Sequence, residues 1–206
     1  MKAGLTRIVD WSHELLAQVV KPGDLVVDLT AGNGHDTLML YRLVGDAGQV
    51  IAFDIQTQAL QVSRKRLLEA GATVKSIDAD GFLTTGPGVT LVAASHTDPG
   101  RYLSAAPRAV VANLGYLPGG DRKVITRPET TLGALRKSCR LLADGGRLVV
   151  VVYPGHDGGR DEAELVDQFF QRLSDLEFDV LCLRVSNRPA APYLHVAEKR
   201  FRAKQT

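Results

Sequence analysis

The feature that most constrains this chain is the junction at residues 25–37. A run of branched apolar residues, Leu25-Val26-Val27-Asp28-Leu29, passes through Thr30-Ala31-Gly32-Asn33-Gly34 into an amphipathic stretch that begins near His35. The apolar run has the length and composition of a buried strand. The two glycines permit positive φ and close approach of the backbone to a ligand. A strand, a glycine turn and a helix in immediate succession open a doubly wound α/β sheet, whose ligands bind beyond the carboxyl ends of the strands.

The remaining pattern repeats this theme. Ser12–Val20 has helical spacing at Leu15, Leu16, Val19 and Val20, and Lys21-Pro22-Gly23-Asp24 reads as a turn. Gln49–Asp54 is the second strand. Thr57–Ala70 is a helix with Leu60, Leu67 and Leu68 on one face and Gly71 as its stop. The third strand is either Ala72–Ile77 or Val89–Ala94, with residues 78–88 as loop. Ala109–Asn113 and Arg147–Val152 are further strands, and Pro128–Leu142 and Asp161–Leu176 are helices, Pro128 standing in a first turn. Phe178–Val185 and Tyr193–Lys199 follow with no helix between them, as a hairpin does. These elements predict an α/β fold: a mostly parallel seven-stranded sheet with an antiparallel C-terminal edge and helices on both faces. The length of 206 residues fits one domain over residues 1–206.

Composition narrows the function. With 45% hydrophobic and 23% charged residues the chain reads as soluble and globular. It shows neither a signal-type apolar run nor a membrane span, so a cytoplasmic protein is expected. A formal charge of +2 argues against a large nonspecific nucleic-acid binder but allows a local basic patch. Two such groups stand out: Arg122, Lys123 and Arg127, and Lys199, Arg200, Arg202 and Lys204. Cys139 and Cys182 form no CxxC pair and have no neighbouring His cluster, so no metal site is expected and both read as core thiols.

The acids around the glycine loop bear on the ligand. Asp28 ends the first strand, where it would repel a pyrophosphate; a cofactor carrying a sulfonium and an ammonium group is compatible with it. Asp54 ends the second strand, placed to accept hydrogen bonds from two ribose hydroxyls. S-adenosylmethionine (SAM) therefore fits better than a nicotinamide dinucleotide. Its expected contacts are Asp28, Ala31, Gly32, Asn33, Gly34, Asp36, Thr37, Asp54, Gln56 and Asn113.

Five segments carry a resemblance over about residues 12–199: DLTAGNGHDT (28–37), AFDIQ (52–56), SHTDPGRYL (95–103), NLGYLPGGD (113–121) and YPGHDGG (153–159). Together they resemble the YtqB-like class I methyltransferases, labelled rRNA methylases and associated with MnmM, which methylates the amine of 5-aminomethyl-(2-thio)uridine at the tRNA wobble position. The resemblance implies the Rossmann-like fold of class I methyltransferases. It makes Val89–Ala94 the third strand, lengthens the 72–88 link and sets Ser95 and His96 near the adenine, with Thr97 where the family has Glu. Asp78 and Asp80 compete for that role if Ala72–Ile77 is the strand. It also implies tRNA, through its anticodon stem-loop, as substrate. An rRNA or a small-molecule amine is the alternative. A homodimer would widen the RNA footprint, and the basic groups would contact phosphates.

Asn113-Leu114-Gly115-Tyr116 is similar to the Asn-Pro-Pro-Tyr motif of amino-group methyltransferases. Asn113 and a backbone carbonyl can accept hydrogen bonds from an amine and aim its lone pair, and Tyr116 can stack on the base. An alkylammonium must shed a proton before it attacks, with His156 as the first candidate acceptor and His35 and His13 behind it.

Overall fold

The computed structural model describes residues 7–81, 86–115, 128–155 and 159–201. One sheet runs through it. Its strands are β1 (Leu25–Asp28), β2 (Gln49–Asp54), β3 (Val74–Asp78), β4 (Gly88–Ala93), β5 (Ala109–Asn113), β6 (Arg147–Val152), β7 (Phe178–Leu183) and β8 (Tyr193–Lys199), in the spatial order β3-β4-β2-β1-β5-β6-β8-β7. All pairings are parallel up to β6, and β8 runs antiparallel to both β6 and β7. The sheet therefore has eight strands, not the expected seven.

The extra strand resolves the ambiguity at residues 72–94 in an unforeseen way. Both candidates are strands, and they pair with each other, Val74 opposite Val89 and Asp78 opposite Ala93. The expectation that strands alternate with helices made them exclusive. Here β3 is an edge strand with no residue fully buried, so its mixed sequence carried little of a strand's apolar signature.

Alternation along the strands feeds two cores. Val27, Ile51, Val110 and Leu148 point to the face covered by α4 (Pro128–Leu141) and α5 (Gly159–Gln171). Val26, Val50, Val111 and Val149 point to the face covered by α1 (Ile8–Ala17), α2 (His35–Val44) and α3 (Thr57–Glu69). Each such residue is at most 1% exposed, and burial of that completeness is worth ~1.5–3 kcal/mol per side chain.

Three helix expectations shift. α1 starts a turn before Ser12, because Ile8, Ser12 and Leu16 form the buried stripe. In α3, Leu60 and Leu67 are buried but Leu68 is 49% exposed; one position from Leu67 turns it about 100° off the core face. α5 stops at Gln171, and Phe178 N–H then bonds the Ser174 carbonyl in a turn that enters β7.

The chain leaves β1 for β2 on one side and reaches β5 on the other. The carboxyl ends of β1, β2 and β5 therefore surround a topological switch point, where a ligand crevice opens.

Candidate active site

At that switch point lies a cleft of about 390 Å³. It brings together Ala31, Gly32, Asn33 and Asp36 from the glycine loop and α2 with Asn113 from the end of β5. Val9 of α1, Leu114 and Tyr153 complete its wall.

The loop is shaped by glycine and held from behind. Gly32 and Gly34 adopt φ of 49° and 78°, and Gly34 caps α2. The Ser63 hydroxyl of α3 donates to the Gly32 carbonyl at 3.1 Å, and Arg66 Nε–H donates to the Asn33 carbonyl at 2.8 Å. Neither residue was expected from the sequence. Their only sequence signal is three-residue spacing on a helix that follows β2, which places both on one side.

Asp28 does not face the cleft openly. It is fully buried; Thr37 Oγ1–H donates to one carboxylate oxygen at 2.7 Å and Thr30 N–H to the other at 3.0 Å. Burial, reinforced by the nearby Asp36 carboxylate, pushes its pKa up to about 7. Asp28 and Thr37 thus lie beneath the loop and brace it.

The carboxylate that reaches the cleft is Asp36. One of its oxygens is 2.6 Å from His13 Nε2, and the other accepts a short hydrogen bond from Asn113 Nδ2. Asn113 is further fixed by its N–H bonding Thr30 Oγ1 at 2.8 Å. With Nδ2 committed, the side-chain oxygen of Asn113 is the free end. It is buried and has no hydrogen-bond partner. His13 was a minor candidate in the sequence; the structure ties it to Asp36 and Asn113. His35 is exposed on the cleft rim.

Asp54 and Gln56 stand beside the cleft, at the end of β2. Asp54 accepts hydrogen bonds from Gly32 N–H and Gln56 N–H, each at 2.8 Å, one per oxygen. Each oxygen keeps a lone pair for another donor. Burial holds its pKa above the ordinary carboxylate value despite these bonds. His96 is next to it. Its pKa is lowered by burial, against the opposing pull of a hydrogen bond to the Leu29 backbone and of the Asp54 charge. Ser95 is exposed, and its hydroxyl bonds that of Thr97 at 3.2 Å. Asp78 ends β3, next to Ala93 at the end of β4.

Several expected residues fall elsewhere. Tyr116, His156, Arg122, Lys123, Arg127, Arg202 and Lys204 lie outside the described residues. Lys199 and Arg200 do not join a phosphate-binding surface at the cleft. Lys199 Nζ donates to the Arg140 and Leu142 carbonyls and Arg200 to that of Asp175. Because β8 is antiparallel, its last residues lie at the edge where β6 begins, opposite the cleft.

The donor set can be tested against a cofactor. Among the described residues lining the cleft there is no Lys or Arg, while Asp36 lines it and Asp54, bonded to the Gly32 N–H, stands close by. A pyrophosphate finds no counter-charge here, whereas a sulfonium with an ammonium group does. The switch-point cleft, the braced glycine loop and the acid ending β2 define a class I SAM-dependent methyltransferase.

Relatives agree. Residues 50–199 match the family model described as "Putative rRNA methylase", and residues 9–84 match that of the ubiE/COQ5 methyltransferases. The chain is 37% identical over 204 residues to the chloroplastic tRNA (mnm5s2U34)-methyltransferase of Arabidopsis thaliana, covering 96% of this chain and 71% of the relative. The crystal structure of a "putative rRNA-methylase" from Clostridium thermocellum superposes with a TM-score of 0.84 at 37% identity, covering 93% of this chain and 97% of that one. A "putative methyltransferase" from Streptococcus mutans, solved with S-adenosylhomocysteine, gives 0.79 at 34% identity, covering 94% and 98%. The chain belongs to this rRNA-methylase-type family of SAM-dependent methyltransferases. Among its described residues, no helix is long and apolar enough to cross a membrane.

Proposed function

We propose that the chain methylates the primary amine of a 5-aminomethyl-(2-thio)uridine at the wobble position of tRNA. The observation that carries the amine reading is the buried, partnerless side-chain oxygen of Asn113 at the carboxyl end of β5. A buried acceptor without a donor is costly, and an amine N–H entering the cleft removes that cost. The tRNA part is supported by the Arabidopsis relative, whose name specifies that nucleoside. The family description, which names rRNA, supports rRNA as the second reading.

When bound, SAM supplies an electrophilic methyl group and leaves as a neutral thioether. In this reading Asp54 accepts the ribose hydroxyls, Gly32 and Asn33 present backbone, and Gln56, Ser95 and His96 border the adenine. Asp36 holds Asn113 through Nδ2, so the Asn113 oxygen points its lone pairs at the amine and fixes the direction of attack. The amine arrives as an ammonium and sheds a proton first. Asp36, backed by His13 at 2.6 Å and bonded to Asn113, is the proton acceptor, with His35 on the cleft rim as another candidate. Tyr116 stacks on the base, and His156 is a second proton acceptor. The phosphate contacts of the anticodon stem-loop fall to Arg122, Lys123 and Arg127.

The test uses purified protein, labelled SAM and two acceptors: tRNA carrying the aminomethyl uridine, and ribosomal RNA. Label entering the tRNA nucleoside supports the reading. Label entering only rRNA rejects it.

A further inference from the structure

The antiparallel end of the sheet carries a second cleft, of about 630 Å³, that methyl transfer does not use. The end of α5 forms one wall, and β7 with β8 forms the other. Cys182 and His195 sit directly opposite each other across the two strands. His195 has only 5% of its side chain exposed. Its Nε2 lies 2.7 Å from Asp167 Oδ1, and its ring stacks on Phe170 with centroids 4.5 Å apart. With Nε2–H donated to the carboxylate, Nδ1 becomes the acceptor nitrogen. That Nδ1 is buried and has no hydrogen-bond partner.

Cys182 is not the core thiol the sequence suggested; it is exposed, because β7 is an edge strand. Its Sγ accepts Nε–H of Arg184 at 3.2 Å. Arg184 is fixed in turn by Asp167 and by stacking 3.7 Å over the Tyr193 ring. Burial alone would raise the Cys182 pKa, but the neighbouring His195 and Arg184 side chains outweigh it and hold the thiol below its ordinary range. Cys139 shows the opposite: burial pushes its thiol up to about 12.

We propose that Cys182 is a nucleophilic modification site that exchanges with neutral or cationic low-molecular-weight disulfides, with His195 as its proton acceptor and Arg184 as its counter-ion. The Cys182 proton passes to His195 Nδ1, and Asp167 holds the resulting imidazolium. The thiolate attacks one sulfur of R–S–S–R. The Sγ–S bond forms as the S–S bond breaks, and R–S⁻ leaves and takes the proton back. One thiol is consumed and one released, so no outside oxidant or reductant is needed. The preference for an uncharged or positive R follows from the groups facing the cleft. Asp167 from α5, Asp175 from the following turn and Asp179 from β7 outnumber the cations beside them, Arg184 just past the end of β7 and Arg200, which lies 3.8 Å from Asp179; His195 of β8 faces Asp167, and Tyr193 of β8 backs Arg184.

The full-length protein would be reacted with neutral 4,4′-dithiodipyridine across pH 5–9, with glutathione as reference thiol and the product mapped by mass spectrometry. The expected result is one modified thiol, Cys182, reacting at least ten times faster than glutathione at pH 6, with a rate midpoint below the ~8.5 of a free cysteine. Arg184→Met, on the surface, should move that midpoint up and slow the reaction at pH 6. The ratio of the cystamine rate to that of the anionic dithiobis(nitrobenzoate) should be higher for Cys182 than for glutathione. A wild-type rate and midpoint equal to those of glutathione would overturn the proposal, as would modification at Cys139.

Discussion

Gly34 offers a direct test of how the cofactor loop is built. It sits at φ +78°, and a Cβ there would lie 2.5 Å from Ser63 Oγ and 2.9 Å from Ser63 Cα. The first neighbour can rotate away; the second is helix backbone and cannot. Gly23 has a similar φ of +90° but nothing within 4 Å of its Cβ position. Both Gly→Ala changes place a side chain in the left-handed region, at ~1–2 kcal/mol. Only Gly34→Ala adds overpacking against α3, at ~1–3 kcal/mol. For a chain of this length each kcal/mol lowers Tm by about 2–4 °C. Gly23→Ala should therefore lose on the order of 2–8 °C and Gly34→Ala on the order of 4–20 °C. Urea unfolding with unchanged slope would convert these to free energies. Equal destabilisation by the two changes would refute the claim that α3 clamps the loop.

Asp54→Ala should weaken SAM binding at least tenfold, since each lost ribose bond to a carboxylate is worth ~1.5–3 kcal/mol; unchanged affinity by calorimetry would remove Asp54 from the cofactor site. Asn113→Ala should leave SAM affinity within about threefold but lower kcat on the order of a hundredfold, because the amine loses its alignment; a wild-type rate would exclude Asn113 from the mechanism. Asp28 predicts a pH effect on stability. Its carboxyl ionises at 3.8 unfolded and near 7 folded, so between those values the folded chain keeps a proton that the unfolded chain has released. Its contribution is most favourable below pH 3.8 and is lost as pH rises to about 7, by on the order of 2–4 kcal/mol. In Asp28→Asn the fall between pH 4 and 7 should be shallower in urea titrations, and an unchanged pH dependence would contradict the burial argument.

The parts of the fold that were legible were those whose local pattern matches their environment. β1, β5 and β6 are branched runs buried on both faces, so hydrophobicity alone marks them. β3 escaped because an edge strand needs no such run. Cys182 misled for a related reason: its strand was legible, but Phe178-Asp179-Val180-Leu181-Cys182-Leu183 looks like core, yet Val180 and Leu181 are 41% and 46% exposed. At the site, the glycine loop and the acids ending β1 and β2 were readable from spacing. That Asp28 turns inward was not, because it depends on Thr37, one turn into α2. Ser63, Arg66 and Tyr153 reach the loop or the cleft only through tertiary packing, which no local window of the sequence contains.

The central claim is methyl transfer to the wobble aminomethyl uridine, and the most direct measurement is mass spectrometry of tRNA nucleosides from a strain lacking the gene. The account predicts loss of the methylaminomethyl uridine, accumulation of its aminomethyl precursor, and restoration by the wild-type gene but not by Asn113→Ala. Nucleosides identical to those of the parent strain would contradict it.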